Sequence, residues 1–477
     1  MRLQTLASYA LLAGCAVGPD FHRPSTPTIA RYTSAPTAES IVAGGQSERL
    51  VAGADVDPAW WTAFGSPELN AAVTSAIAHN AGLEAARATL SRSQHLLRAG
   101  YGVFLPQLDA KAGVTRQRYN PAPGVLPSRT FDLFTASGSV SYTVDVWGGE
   151  RRQVEGLAAQ VDEQRYALAT ARVMLAGNVL NAEIARAAQI EATEASRALQ
   201  REQLRITEAQ VAGGTVSAAS ALTIRSQIAA IEATLPGLEQ KIDEATHLLA
   251  TLDGVTPGEW HRAPVKLDAL TVPAEVPVSL PSVFVRQRPD ILEAEAVAHA
   301  ANASIGVATA AMLPNITLGG SYGANSRTVG GFGGPDTIVW NLAAGVVQPI
   351  FHGGTLNEQR KAAIEARNAV LAGYRQTVLA AFADVANTLR ALEHNGATLR
   401  AETEAVETAD NALRLVQANY SAGIANYLQF LVADGLFLTT RIARVQAVAQ
   451  RLQDTVALFV ALGGGWQKVP SRTLERP

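Results

Sequence analysis

Gly319-Gly320-Ser321-Tyr322-Gly323 has the spacing of a nucleophile elbow, the turn that exposes a catalytic serine between a strand and a helix. Serine hydrolysis is the chemistry this pattern offers. Ser321, however, falls inside a run that alternates polar and apolar residues, which is a strand without the required turn and helix. The histidines His22, His79, His95, His247, His261, His299, His352 and His394 are scattered, with no i,i+4 pair and no cysteine partner, so metal ligation has no support. Val329-Gly330-Gly331-Phe332-Gly333-Gly334 lacks the flanking strand and helix of a phosphate loop and reads as an exposed turn. No catalytic residue, metal site or cofactor is expected, and the chain is not read as an enzyme.

The chemistry that remains is at the N-terminus. Arg2 is followed by the apolar stretch Leu6–Ala13, and then by Leu12-Ala13-Gly14-Cys15, which resembles a bacterial lipobox. There, small residues admit the signal peptidase and the cysteine thiol is acylated. Cys15 is the single cysteine of the chain and stands where that motif needs it. Ala16 follows it rather than aspartate, which in such lipoproteins implies sorting to the outer membrane. One acyl chain anchors only marginally, so stable attachment takes several chains or a second membrane contact. A secretory signal with Cys15 as an ordinary thiol is the alternative.

The formal charge is 39 − 42 = −3, which argues against a nucleic-acid partner or electrostatic membrane binding. After the start, no run of about 18 apolar residues occurs, so transmembrane helices are not expected. A β-barrel leaves no such run, and the membrane therefore stays open.

Two copies of one plan are visible. Leu105-Pro106-Gln107-Leu108 recurs as Leu313-Pro314-Asn315-Ile316, at 313 − 105 = 208. Val146-Trp147-Gly148-Gly149 corresponds to Phe351-His352-Gly353-Gly354, at 351 − 146 = 205, and Val211–Gly214 to Tyr420–Gly423, at 420 − 211 = 209. Asn80-Ala81-Gly82-Leu83 parallels Arg288-Pro289-Asp290-Ile291. Common order and near-constant spacing argue for duplication.

Each copy holds two alternating segments. Gln107, Asp109, Lys111, Gly113, Thr115 and Gln117 alternate with Leu108, Ala110, Ala112 and Val114. Ser137, Ser139, Ser141, Thr143 and Asp145 alternate with Gly138, Val140, Tyr142, Val144 and Val146. The second copy repeats the pattern over Asn315–Ala324 and, less cleanly, Ile338–Val347. Period two means strands with one apolar face, each of about ten residues, the length of a tilted strand that crosses a bilayer. Tyr101, Phe104, Phe131, Phe134, Trp147, Trp340 and Phe351 lie at segment ends, as an interfacial girdle requires. Two soluble hairpins with one wet face would show the same alternation. Matched lengths, small hydroxyl residues on the polar face and the outer-membrane address favour the barrel. Four strands cannot close one, and lipid tolerates no open edge, so this reading requires oligomerisation.

Long helices surround the hairpins. Ile364, Leu371, Val378, Val385, Leu392, Leu399, Val406, Leu413 and Tyr420 keep strict heptad spacing across a span without proline, Thr355–Ala422, about 100 Å as one helix. After a break at 421–426 a second seam runs through Leu431, Leu438, Val445, Leu452 and Phe459, so the two should pair antiparallel about a turn at Gly423. In the first copy Val154, Leu157, Val161, Leu168, Ala171 and Leu175 begin a similar seam, whose partner is expected near Ala218–Leu252. Shorter helices are expected from Ser66-Pro67-Glu68 to about Gly100, with Ser66 as N-cap, and from Pro289 to about Ala311. Residues 16–58, rich in Pro, Ser, Thr, Ala and Gly, read as an extended strap with little packed structure.

These residues carry a resemblance. With Cys15, Arg288-Pro289-Asp290, the repeated Leu-Pro and Tyr420-x-x-Gly423, the chain resembles the TolC-like outer membrane efflux proteins, in the lipoprotein branch that includes OprM and NodT. Cys15-Ala16-Val17-Gly18-Pro19-Asp20-Phe21 and Trp60-Trp61-x-x-Phe64-x-x-Pro67-x-Leu69 match motifs of that branch, and the resemblance covers about residues 15–466. It implies an α+β membrane channel: a homotrimer with a twelve-stranded β-barrel, four strands per chain, continued by an α-helical coiled-coil tunnel into the periplasm. It also implies docking onto a periplasmic adaptor (membrane fusion) protein joined to an inner-membrane efflux pump, often of the proton-driven resistance-nodulation-division class.

The expected division is 1–14 signal peptide, 15–62 lipid-anchored extended segment, 63–280 first repeat with its hairpin at 103–147, 281–466 second repeat with its hairpin at 312–351, and 467–477 tail. The family's periplasmic gate corresponds to the segment Asn426–Asp434, after the turn at Gly423. Leu428 lies where an apolar constriction is implied, with Tyr427 beside it. At the position often acidic this sequence has Val432, and Asp434, two residues later, should point elsewhere on the helix. The implied function is a passive conduit for small molecules received from the pump. Type I protein secretion and a pore-less structural coiled-coil lipoprotein are the alternatives.

Overall fold

A computed structural model describes residues 16–27, 29, 31–36, 38–120, 127–214 and 218–468. Cys15, the segment 1–14 read as a signal peptide and the tail beyond Lys468 lie outside them. The described residues divide into two compact units, one drawn from 1–24, 91–164 and 294–374, the other from 25–90, 165–293 and 375–477.

The first unit contains a four-stranded antiparallel sheet in the order β3-β4-β6-β7, made of β3 (Gln107–Tyr119), β4 (Arg129–Val144), β6 (Asn315–Ser326) and β7 (Ile338–Val347). The two hairpins of the two copies are joined by β4 against β6. Three of the strands are longer than the ten residues expected, because pairing, once in register, continues past the apolar band into the polar loops. Before β3, the chain forms α1 (Pro67–His79) and α2 (Ala81–Gly100), and β4 is followed by α3 (Gly149–Ala212).

The helix expected from Ser66 to Gly100 is two helices. Ser66 caps the first, accepting from the Leu69 amide at 3.1 Å. Asn80 leaves the helical region at φ −63°, ψ 119°, its Oδ1 accepts from the Leu83 amide (3.0 Å) and its Nδ2 donates to the Leu252 carbonyl (2.9 Å). An Asn that competes for backbone groups and then caps the next helix breaks the run in two. The partner of α3 is likewise interrupted, into α4 (Ala218–Glu232) and α5 (Leu235–Leu252), because Pro236 brings no N–H and clashes with the preceding turn.

Elsewhere the helical reading holds. The chain continues through α6 (Pro281–Phe284) and α7 (Pro289–Ala310) to α8 (Thr355–Ser421) and α9 (Tyr427–Ala461). Every residue of the nine-member heptad stripe on α8 is buried or half-buried. Arg451 reaches the Leu392 carbonyl, Ala447 packs on Leu399, and Tyr427 lies against Tyr420, so α8 and α9 run antiparallel.

Residues 16–58 depart from expectation in the second unit. β1 (Ser40–Ala43) pairs antiparallel with β2 (Gln46–Ala52), and β2 pairs parallel with β5 (Glu275–Val278). Ile41, Ala43 and Val56 are buried, and fully buried Glu48 pairs with Arg451 and accepts from Thr455 Oγ1 at 3.2 Å. Short alternations such as Ser40–Ala43 give too little periodicity to stand out from a polar linker. Trp60 stacks on Phe459 at 5.1 Å with Phe64 beside them, so the Trp60-Trp61-x-x-Phe64 motif is core.

Candidate functional site

Two places on the chain present faces that one copy leaves uncovered: the four-stranded sheet and the turn between α8 and α9.

Register fixes the faces of the sheet, since residues paired across strands point the same way. One face carries Leu108, Val140, Gly320 and Leu342 in one row and Ala110, Gly138, Tyr322 and Trp340 in the next. Its ends are Val144–Ile316–Val346 and Val114–Phe134. The opposite face carries Asp109, Ser139, Ser321 and Asn341 in one row, with Lys111, Ser137, Thr135, Thr143 and Thr317 around it. Along β4 the apolar face spans Phe134 to Val144, about 34 Å of strand at 3.4 Å per residue, or about 25 Å of height at a tilt near 40°. That is the height of a membrane band. Not every aromatic follows the expected girdle: Phe131 pairs with Gln117 on the polar face, under the Arg327 guanidinium at 4.6 Å.

The nucleophile-elbow motif dissolves into this sheet. Ser321 is mid-strand in β6 and its Oγ donates to Asn341 Oδ1 at 3.0 Å. Gly323 is glycine because a Cβ there would lie 2.4 Å from the Ala136 carbonyl oxygen. Among the described residues, no three His, Cys, Asp or Glu side chains gather as a metal site requires, and no helix is long and apolar enough to cross a membrane.

The α8–α9 turn is built by local rules. Gly423 adopts φ +73°, where a side chain is strained, and the Ile424 amide donates back to the Asn419 carbonyl at 2.8 Å. Asn426 and Gln429 then form a reciprocal capping box that starts α9. From there the five residues singled out in the sequence part company. Leu428 and Val432, four apart, are 51 % and 60 % exposed on one face of α9. Tyr427 and Asp434 face inward, both buried.

The inward face meets α3 of the first copy. Gln203 Nε2 donates to Asp434 Oδ2 at 3.2 Å, Thr207 and Tyr427 share a hydroxyl contact of 3.5 Å, and Gln210 reaches the Tyr420 hydroxyl. Phe430 stacks on Tyr427 at 5.8 Å and on Tyr420 at 6.0 Å, the two tyrosines are tilted against each other at 5.6 Å, and Ile228 of α4 packs with them. Burial pushes the Asp434 carboxyl above the ordinary aspartate range and the Tyr427 phenol above its own. The sequence reading missed Leu436, which extends the stripe by four more residues at 55 % exposure, and missed Gln203 and Thr207 altogether. The i,i+4 spacing from Leu428 contains the first; nothing local contains the others.

The N-terminal segment after Cys15 is held by backbone and side-chain contacts within the first unit. The Val17 amide donates to the Trp147 carbonyl at 2.8 Å, Arg152 donates to Asp20 (2.6 Å) and Glu155 (2.7 Å), Asn302 donates to the Pro19 carbonyl (2.7 Å), and Phe21 stacks on His299 (4.4 Å). Arg152 holds the Asp20 carboxyl below its usual range.

Known proteins resemble this chain throughout. The family model described as outer membrane efflux protein matches residues 72–255 and 280–464. The pyoverdine export outer membrane protein OpmQ of Pseudomonas aeruginosa is 33 % identical over 455 residues, 91 % of this chain and 94 % of that protein. The outer-membrane channel OprN superposes with a TM-score of 0.84 at 24 % identity, covering 95 % of this chain and all of that one. The open state of the MtrE outer membrane channel of Neisseria gonorrhoeae superposes at 0.83 with 25 % identity, covering 95 % and 99 %.

Proposed function

The chain belongs to the outer membrane efflux protein family and is the outer-membrane component of an efflux system, and on that premise we propose that three copies close one twelve-stranded barrel that passes small molecules outward without an energy source of its own. The observation that carries this is a sheet with one apolar face and two open edges, β3 and β7. In hydrocarbon an unpaired edge costs several kcal/mol per polar group, so the edges need partners. Directions alternate across β3-β4-β6-β7, and β7 of one copy therefore meets β3 of the next antiparallel, as a closed head-to-tail ring requires. The number three comes from the resemblance to the TolC-like family.

The polar face of Ser, Thr and Asn lines the pore in this reading. The long helices α3 and α8 form the periplasmic duct, which docks on an adaptor protein and an inner-membrane pump of the proton-driven class. Leu428 and Val432, with Leu436, supply an apolar constriction at its periplasmic end. Val432 stands where the family often has an acid, so the ring is apolar rather than acidic. Tyr427 and Asp434 act from behind, holding α9 on α3, and Gly423 makes the turn. Cys15 is acylated, which anchors the chain in the membrane, and the segment that follows it is held beside Trp147, just past the end of β4.

Native mass spectrometry of the detergent-purified full chain, with single-channel recording in planar bilayers, tests this. Trimers of low conductance are expected, with Leu428→Ser/Val432→Ser raising the conductance severalfold. A conducting monomer, or trimers silent even with both substitutions, would overturn the reading.

A further inference from the structure

Beyond Val114 and Phe134 the apolar face of the sheet changes character at once. The next rung is Arg116 opposite Asp132, and the one after is Arg118 opposite Thr130, both arginines on the same face as Leu108 and Val114. Arg116 is 77 % exposed and its nearest carboxylate oxygen, on Asp132, is 3.9 Å away, too far for a hydrogen bond. Arg118 donates to Ser128 Oγ at 3.1 Å. Arg327 is not part of this group, because it stacks on Phe131 at the opposite face. Two guanidiniums and one carboxylate leave the patch cationic.

Its height decides what it meets. Each rung adds about 6.8 Å of strand, or about 5 Å of height at a tilt near 40°, so the two guanidiniums stand about 5 and 10 Å beyond the apolar band. That is headgroup depth, on the side of the hairpin turns and away from the ends that continue into helices. We propose that Arg116 and Arg118 bind the phosphate groups of a phosphorylated glycolipid in the outer leaflet. The proposal rests on the barrel reading, since only a sheet whose apolar face lies in lipid puts these side chains among headgroups. Planar guanidiniums with paired donors match phosphate oxygens bidentately, which an ammonium or a neutral side chain does not. At 3.9 Å the Asp132 carboxylate accepts no hydrogen bond from Arg116.

The test uses the full-length protein in detergent, titrated by native mass spectrometry with a bis-phosphorylated glucosamine lipid, the same lipid without phosphates, and inorganic phosphate. Retention of the phosphorylated lipid is expected, at least about tenfold weaker for the dephosphorylated one and for Arg116→Gln/Arg118→Gln, with Arg116→Lys/Arg118→Lys between. Equal retention of the two lipids by the unaltered protein overturns the proposal without recourse to any variant. So does equal retention by the glutamine variant, and so does displacement of the lipid by millimolar inorganic phosphate, which would mark a free-phosphate site. Flotation with vesicles separates the two readings: protein that does not float overturns the barrel, while protein that floats and ignores the phosphates overturns this site alone.

Discussion

At the start of the helix before the second hairpin, Arg288 donates to Asp290 (2.8 and 3.0 Å), to the Ala381 and Ala461 carbonyls (3.2 Å each) and to Asp384 (2.8 Å). At the matching place in the first copy stands Asn80, which makes one backbone cap and one reach to Leu252. The position is the same in the duplicated plan, yet the Arg288 side chain ties the start of α7 to the middle of α8 and the end of α9, while the Asn80 side chain ties the start of α2 to the end of α5. A second contrast lies along the long helices. Glu183 of α3 is buried with Oε2 unpaired, its nearest cation Arg186 at 3.9 Å, while 209 residues later α8 has fully buried Leu392. Duplication preserved the elements, and each copy then settled its own buried polar groups.

The largest effect should come from breaking the stronger junction. Arg288→Ala removes one side-chain donor shared by two carbonyls and two carboxylates and is expected to cost about 3–5 kcal/mol, against about 1 kcal/mol for Asn80→Ala. Denaturant unfolding in detergent measures both, and equal costs would mean that the two junctions carry the same weight.

Next comes the buried acid. Burial pushes the Glu183 carboxyl up to about 7, against the opposing pull of Arg186 and Arg262 and with the help of Asp253. Burial also lowers Arg186, although its guanidinium stays charged throughout this range. A folded-state value above 4.5 means the folded chain holds this proton more tightly. The stability it gives is full below about 4.5 and is lost as pH rises through about 7. Glu183→Gln should therefore stabilise the protein by up to about 3 kcal/mol above pH 7 and by little at pH 4.5. Thermal melts across that range check it, and a pH-independent gain would remove the electrostatic account of the contrast with Leu392.

The smallest effect probes where the copies agree. Gly214 and Gly423 both take positive φ at the helix ends, +64° and +73°. Alanine at either should cost about 1 kcal/mol, and the two costs should match. A large inequality would show that one turn bears load that the other does not.

Much of this was legible in residue order alone. Alternation placed all four strands, the heptads placed α8 and α9, and Gly423 with Asn426 placed the break between them, because each rests on interactions within a few residues. The exposed stripe on α9 was half legible: Leu428 and Val432 came from resemblance, and helical spacing adds Leu436. Asn80 and Pro236 are visible in the sequence too, but the breaks they make compete with helix-favouring neighbours on both sides.

Other features needed tertiary structure. The pairing of β2 with β5 joins residues more than 200 apart, and a four-residue strand such as β5 leaves no periodic trace. That Asp434 turns to Gln203 rather than toward Leu428 depends on which helix packs behind α9. The sequence by itself determined the strands, their apolar face and the helices, since these follow from the spacing of side chains along one chain. Which strand lies beside which, and hence that Arg116 and Arg118 share a face with the membrane band, was decided by long-range pairing, which no local spacing encodes.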